Sequence, residues 1–218
     1  MRWQGRRASA NVEDRRGRSP MVTRGVPVGC GGLLLIGLLT FLMGGDPLQL
    51  FEVLEQGGGT GPAGQIDDSD APQGAPGDQL GQFASVVLAD TEDTWSQLFA
   101  ARGDDYREPT LVLFSGAVQS ACGFNSAAVG PFYCPADGRV YIDLSFFDEL
   151  ARRFGAPGDF AQAYVLAHEV GHHVQNLLGI SEEVHSARSR ASQTEGNRLS
   201  VLLELQADCL AGVWAYHA

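Results

Sequence analysis

The feature that most constrains this chain is the pattern H-E-x-x-H at residues 168–172. Residues four apart in a helix lie on the same face, so a helix here directs the imidazoles of His168 and His172 at one point, with Glu169 beside them. Two histidines at this spacing typically hold a zinc ion, and the glutamate typically acts as the general base of a metalloprotease. A five-residue pattern also arises by chance. The prediction of a metal site therefore depends on a third ligand elsewhere.

A pair of carboxylates interrupts an otherwise apolar segment near the end of the chain. Glu204 and Asp208 are four residues apart within residues 199–214, which are rich in leucine and valine. Burying both costs several kcal/mol unless a metal ion or a positive group meets them. Catalytic zinc needs three protein ligands and an open position for water. We therefore predict that Glu204 is the third ligand of one Zn²⁺ ion and that Asp208 hydrogen-bonds the free ring nitrogen of His168. The alternative is a solvated carboxylate pair on an amphipathic helix.

The charge of the chain is unevenly distributed. The formal net charge of the 218 residues is −11, but residues 1–24 contain seven arginines against Glu13 and Asp14, a net +5, which leaves −16 for the remainder. Phosphate binding requires a basic face, so an acidic main domain argues against nucleic acid as a partner.

Residues 26–45 carry no charge. About 20 uncharged residues are enough to cross a bilayer as a helix. We predict one transmembrane helix at residues 25–45. Since the arginines lie only on its N-terminal side, residues 1–24 are expected in the cytoplasm and the rest of the chain outside the cell membrane. The alternative is a cleaved signal peptide, for which residues 43–46 form a poor cleavage site.

The rest of the chain divides into a linker and one folded domain. Residues 46–82 are rich in Gly, Pro, Asp and Gln and predict a flexible tether. Residues 83–218 form the predicted domain, an α+β fold that is mainly helical, with a small antiparallel sheet. Its predicted elements are a helical region at 83–101, a strand at Thr110–Phe114, a hairpin of Phe132–Cys134 and 139–144 around Asp137-Gly138, and helices at 145–154, 159–179, 181–196 and 197–216.

Four cysteines have separate expected roles. Cys122 and Cys134 bracket a glycine-containing loop, and we predict that they form a disulfide, as against two free thiols or a second metal site. Cys30 lies in the predicted membrane helix and is expected to be inert. Cys209 on the last helix is expected to be a small buried apolar residue.

Residues 165–175 and 204–215 resemble the putative neutral zinc metallopeptidase family of bacteria, as do residues 1–7, 11–17 and 130–135. The resemblance covers nearly the whole chain except the linker. It implies a membrane-anchored zincin with an exported domain and a thermolysin-like His₂Glu zinc site. Two departures stand out. Leu202 occupies a position where the family often has arginine, and the chain ends at Ala218, where family members usually continue for several helices, so a truncated domain is expected.

The predicted reaction is hydrolysis of a peptide bond. Zinc lowers the pKa of a bound water from about 15.7 to about 7, and Glu169 would take the water proton and pass it to the leaving amine. A further donor must help to hold the oxyanion. The candidates are His185, Tyr133, Tyr141 and His217.

Two further residues have expected positions. His173 is five residues beyond His168 and should point away from the metal, in a structural role. The strand around Tyr141 precedes the zinc helix and is expected to pair with an extended peptide substrate.

Three alternatives compete with a zinc-dependent peptidase. The domain would be a catalytically inactive zinc-binding scaffold or interaction module of the cell envelope, or a structural envelope protein with an accidental motif. A nucleophilic hydrolase is disfavoured, since the chain has no G-x-S-x-G elbow. The substrate and the oligomeric state are not predicted.

Overall fold

The part of the chain that the computed structural model describes, residues 2–17 and 73–218, begins with a strand and a helix, continues with five strands and ends with four helices. The strands are β1 (Val12–Asp14), β2 (Thr110–Phe114), β3 (Ala117–Ser120), β4 (Gly123–Ser126), β5 (Phe132–Cys134) and β6 (Arg139–Asp143). The α-helices are α1 (Gln79–Arg102), α2 (Phe146–Arg152), α3 (Asp159–Leu177), α4 (Ile180–Arg188) and α5 (Gln193–His217), and a 3-10 turn spans Ala127–Val129. The α+β class is confirmed.

The main sheet is mixed rather than antiparallel. Its strand order is β1-β2-β6-β5, in which β1 and β6 run parallel to β2 and only β5 is antiparallel to its neighbour β6. Strands β3 and β4 form a separate antiparallel pair. The predicted small antiparallel sheet is therefore wrong for the main sheet. Strand β2 is apolar at four successive buried positions, which is typical of a strand covered on both faces in a parallel arrangement.

The N-terminal residues belong to the folded domain. Strand β1 pairs with β2 in the register Val12↔Leu111, and the backbone N–H of Gly74 donates to the carbonyl of Val12 at 2.8 Å. For the described residues 2–17, the prediction of a segment separate from the folded domain is wrong, and the domain also includes described residues before 83. The sequence pattern assigns the N-terminal arginines to the flank of a membrane helix. In the structure, however, Arg7 and Arg16 form ion pairs with acidic residues of the domain.

The predicted membrane helix at 25–45 and residues 46–72 of the predicted linker lie outside the described residues. Within the described ranges, no helix combines the length and the apolar character that crossing a bilayer requires.

The helices follow the predicted pattern with shifted ends. Helix α1 is continuous, begins after Asp78, whose side chain accepts from the backbone N–H of Gly81 at 3.0 Å, and ends at Gly103 in the left-handed conformation. Helix α3 ends two residues before the predicted end at Gly179, which adopts the left-handed conformation. Helix α2 lies within the predicted residues 145–154 and buries only Phe147.

The apolar core lies between the main sheet and helices α1, α3 and α5, and it includes the completely buried Trp214. The predicted disulfide is confirmed: Cys122 and Cys134 are bonded, with Cα atoms 5.8 Å apart. It ties the β3–β4 turn to β5. Cys209 is exposed rather than buried, because it lies on the outer side of α5.

Candidate metal centre

A close approach of α3 and α5 builds the site. A Cβ atom added at Gly171 would lie 2.9 Å from the carbonyl oxygen of Ala207 and 3.2 Å from its Cα, so only glycine fits between the two backbones. Ala207 is completely buried. The contact point lies one residue before His172 and three residues after Glu204. The contact between the two helices therefore lies next to the histidines of α3 and the carboxylates of α5.

Three predicted ligands meet at this crossing. The Nε2 atoms of His168 and His172 each lie 3.3 Å from the same oxygen, Oε2 of Glu204. One ligand atom from each of the three residues can be chosen so that all lie within 4.8 Å of one another. Tetrahedral zinc with bonds of about 2.0–2.1 Å places its ligand atoms roughly 3.3 Å apart. The donor set and its spacing therefore fit a zinc ion.

The outer nitrogens of both imidazoles have acceptors. Asp208 Oδ1 lies 3.0 Å from Nδ1 of His168, at the contact expected from the sequence. Gln175 Oε1 lies 2.9 Å from Nδ1 of His172. An acceptor at Nδ1 places the ring proton there and leaves the lone pair of Nε2 for a metal ion. Gln175 is not among the predicted site residues, although its position three residues after His172 on the same helix indicates that the two side chains can meet.

Glu169 lies beside the two histidines and is only 8 % exposed. Burial raises the pKa of its carboxyl group, while the nearby His172 and His168 act in the opposite direction. A carboxylate with raised proton affinity is suited to accept a proton from a neighbouring water.

A cleft of about 750 Å³ opens in front of the histidines and Glu169. Its walls come from the edge strand β5 with its flanks on one side and from α4 on the other. Lining residues from these walls are Pro131, Phe132, Tyr133, Pro135, Ala136, Ser181, Glu182, Val184, His185 and Arg188.

Strand β5, rather than the strand around Tyr141, borders this cleft. Tyr141 belongs to β6, which is paired with β2 on one side and β5 on the other. The expected pairing of a peptide with that strand is therefore wrong, because both edges of β6 are occupied. The hydroxyl of Tyr141 donates to Asp137 at 2.8 Å.

The four candidate oxyanion donors differ in position. His185 and Tyr133 line the cleft, whereas Tyr141 and His217 do not. The Tyr133 hydroxyl accepts from Asn176 Nδ2 at 3.0 Å and lies 3.1 Å from Nδ1 of His173. Among the described residues His185 has no hydrogen-bond partner for its ring, so it is the candidate with a free donor.

His173 supports the cleft wall instead of the metal. Its Nε2 lies 2.6 Å from the carbonyl of Arg107, which can only accept, so the proton is on Nε2 and Nδ1 accepts from the Tyr133 hydroxyl. Burial lowers the pKa of this imidazole. The expectation that His173 points away from the metal is confirmed, and its contacts tie α3 to β5.

Comparison with known proteins gives one family and several relatives. A family model described as putative neutral zinc metallopeptidase matches residues 1–218. The chain is 49 % identical over 231 residues to the uncharacterized protein YpfJ of Escherichia coli (strain K12), an alignment that covers 99 % of this chain and 75 % of that protein. It is 44 % identical over 155 residues to the uncharacterized protein Rv2575 of Mycobacterium tuberculosis, covering 70 % of this chain and 50 % of that protein. No solved structure gives a significant match.

Proposed function

The chain belongs to the putative neutral zinc metallopeptidase family, and from this membership and the geometry of the site we propose that it hydrolyses peptide bonds at one zinc ion held by His168, His172 and Glu204. The family resemblance noted in the sequence motifs is confirmed. The observation that carries the proposal is the placement of both Nε2 atoms 3.3 Å from one Glu204 oxygen, at the wall of an open cleft.

A bound zinc ion would lower the pKa of its water so that the water ionises near neutral pH, and the ion would also polarise the carbonyl group of the substrate. Glu169 takes the proton of the attacking water on its carboxylate and delivers it to the leaving amine. Its burial beside the cleft supports this role, because the protonated form is stabilised between the two transfers. His185 donates a hydrogen bond to the oxygen of the tetrahedral intermediate.

The proposed substrate is a peptide in extended conformation along β5. The outer edge of β5 is unpaired within the described sheet, and β5 forms one wall of the cleft. A strand added at this edge gains backbone hydrogen bonds, and side-chain pockets then provide selectivity. The peptide carbonyl would pass close to His168 and His172.

The compartment is also a proposal. A disulfide persists in oxidising compartments such as the bacterial periplasm, so the bond between Cys122 and Cys134 supports an exported domain. Attachment to a membrane through residues 25–45 remains a prediction from the sequence.

The test uses the full chain, because residues 2–17 are part of the domain. Zinc content and cleavage of a peptide library are measured for the parent and for Glu169→Gln, which keeps the volume of the side chain and removes the base. We expect Glu169→Gln to retain zinc and to lose cleavage by several orders of magnitude. Unchanged cleavage by this variant, or a parent chain that binds no zinc, would refute the mechanism.

One observation favours the alternative of a zinc-binding interaction module. Leu202 and Leu205, on either side of Glu204 in the sequence, are 51 % and 57 % exposed, and an exposed apolar surface beside the metal suits a protein partner. A parent chain that binds one zinc ion and cleaves no peptide of the library would select this alternative.

A further inference from the structure

Gln175 is a polar side chain that is completely buried between α3 and α5. Its amide makes three hydrogen bonds. Oε1 lies 2.9 Å from Nδ1 of His172, and Nε2 donates to the carbonyl of Leu203 at 2.7 Å and to Oε1 of Gln206 at 3.0 Å. All donors and acceptors of the amide except one lone pair are therefore engaged, and the group has a single arrangement.

The orientation of the amide follows from its partners. A main-chain carbonyl can only accept, so the atom that faces Leu203 must be the NH₂ group of Gln175. The other end of the amide is then an oxygen, which accepts from His172. This requires a proton on Nδ1 of His172 and leaves Nε2 unprotonated, in the form that binds a metal ion.

The same amide joins the two ligand-bearing helices. Leu203 and Gln206 flank Glu204 in α5, and Gln175 follows His172 by one turn in α3. The side chain of Gln175 thus sets the tautomer of His172 and holds the backbone next to Glu204. His168 has a different arrangement, because its acceptor Asp208 is a carboxylate whose side chain is 50 % exposed.

We propose that Gln175 is a positioning residue of the metal centre, which holds His172 with its proton on Nδ1 and fixes the segment of α5 around Glu204. The inference rests on the proposed zinc site for its effect on metal affinity, but its effect on the imidazole exists without metal. Partners of this kind typically change metal affinity by about 10–100-fold when they are removed.

The amide of Gln175 contacts His172 through its oxygen and α5 through its NH₂ group, and two substitutions separate these contacts. Gln175→Met has a similar length and loses both contacts. Gln175→Glu keeps an acceptor oxygen for His172 and loses the NH₂ group that ties α5. Gln162→Met, on the same helix and outside the cleft, is the matched control, since its side chain has no hydrogen-bond partner among the described residues.

The first measurement is the ¹⁵N chemical shift of both ring nitrogens of His172 in zinc-free protein. We expect a proton on Nδ1 in the parent, in Gln162→Met and in Gln175→Glu, and a mixture of both tautomers in Gln175→Met. A parent protein with the proton on Nε2 of His172 would overturn the inference, whether or not any variant folds.

The second measurement compares zinc affinity, by competition with a chelator, with stability to urea. We expect Gln175→Met to lose about 10–100-fold in affinity and Gln175→Glu to lose much less, although both are destabilised. If the loss of zinc affinity is proportional to the loss of stability in both variants, the role of Gln175 is merely structural and the inference is overturned. If the parent binds no zinc, the proposed function fails, while the tautomer measurement still decides the role of Gln175.

A separate observation carries a second inference, about the N-terminal residues. Glu92 of α1 is buried and accepts hydrogen bonds from Arg7, Ser9 and Asn11. Strand β1 continues this contact by pairing with β2 along Val12–Asp14. Hydrogen-bonded neighbours in one sheet cannot be separated by a bilayer.

We infer that residues 2–17 and 73–218 lie on the same side of any membrane, which is incompatible with the expected single crossing between them. Single cysteines at two exposed positions, Ala10→Cys and Asp105→Cys, test this in a Cys30→Ala, Cys209→Ala background. Spheroplasts are treated with a membrane-impermeant maleimide, with and without lysis. Equal accessibility of the two positions supports the inference. Labelling of one position and protection of the other before lysis would overturn it. Protection of both positions before lysis would also support the inference, and it would refute the proposed export.

Discussion

The close contact of α3 and α5 predicts a specific effect of adding one methyl group at Gly171. The Cβ of Gly171→Ala would lie 2.9 Å from the carbonyl oxygen of Ala207. Because the neighbouring atom is backbone, it cannot rotate away, and the helices must separate. Overpacking of this kind costs about 1–3 kcal/mol. Replacing a helical glycine by alanine gains about 1 kcal/mol from propensity, so the two effects oppose each other.

A second glycine provides the matched control. Gly212 lies in α5, is exposed, and has no atom within 4 Å of an added Cβ. Gly212→Ala is therefore stabilised by the higher helix propensity of alanine, with no opposing steric cost. The difference in free energy of unfolding between Gly171→Ala and Gly212→Ala isolates the steric cost, and we expect Gly171→Ala to be less stable by about 1–3 kcal/mol.

The assay is urea unfolding of the zinc-free chains, followed by zinc titration. Separation of the helices at Gly171 also moves Glu204 away from the histidines, so we expect weaker zinc binding by Gly171→Ala and unchanged binding by Gly212→Ala. Equal stability of the two variants would refute the claim that backbone contact sets the distance between the helices. Lower stability with unchanged zinc affinity would show that the contact does not set the ligand geometry.

Three further predictions concern the support of the domain. The hydrogen bond from Arg16 lowers the pKa of Asp78 to about 2. This pair therefore stabilises the fold fully above about pH 4, the unfolded value, and loses its contribution as the pH falls through the folded value. Asp78→Asn, which can still cap α1, should be less stable than the parent at about pH 6, and the difference should shrink as the pH falls from about 4 to about 2; a constant difference would contradict the assignment. Replacing Cys122 and Cys134 together by serine opens a loop of 12-residue separation and should cost about 2–3 kcal/mol in urea unfolding, whereas a stability equal to that of the parent would show that the bond constrains little. Removing residues 1–17 leaves Glu92 buried without its partners, and circular dichroism should show a chain that is unfolded or strongly destabilised; native stability would contradict an integral β1.

The sequence predicted local structure well where a short pattern is sufficient. The helix that carries His168 and His172 follows from start and stop signals near residues 159 and 179, and the β5–β6 hairpin follows from Asp137-Gly138. Both predictions depend only on residues that are close to each other in the sequence. The prediction that a peptide substrate pairs with the strand around Tyr141 failed because strand order depends on other segments, here β2 and β5, which occupy both edges of that strand.

The N-terminal residues show a related limit. Seven arginines before an uncharged segment indicate a membrane flank by composition. However, Arg7 pairs with Glu92 and Arg16 pairs with Asp78, and each of these partners is more than 60 positions away in the sequence. Composition alone does not distinguish a charge that faces a membrane from one that meets a carboxylate in the fold.

The sequence by itself determined the chemistry available to this protein: two imidazoles four residues apart, a glutamate between them, and a pair of carboxylates on another helix. Only the tertiary structure decided which groups meet. Glu204 reaches the histidines because α3 and α5 touch at Gly171 and Ala207, and Gln175 reaches His172 and Leu203 because it is buried at the same crossing. Helical periodicity is a property of neighbouring residues, whereas the distance between two helices is set by the packing of the whole core.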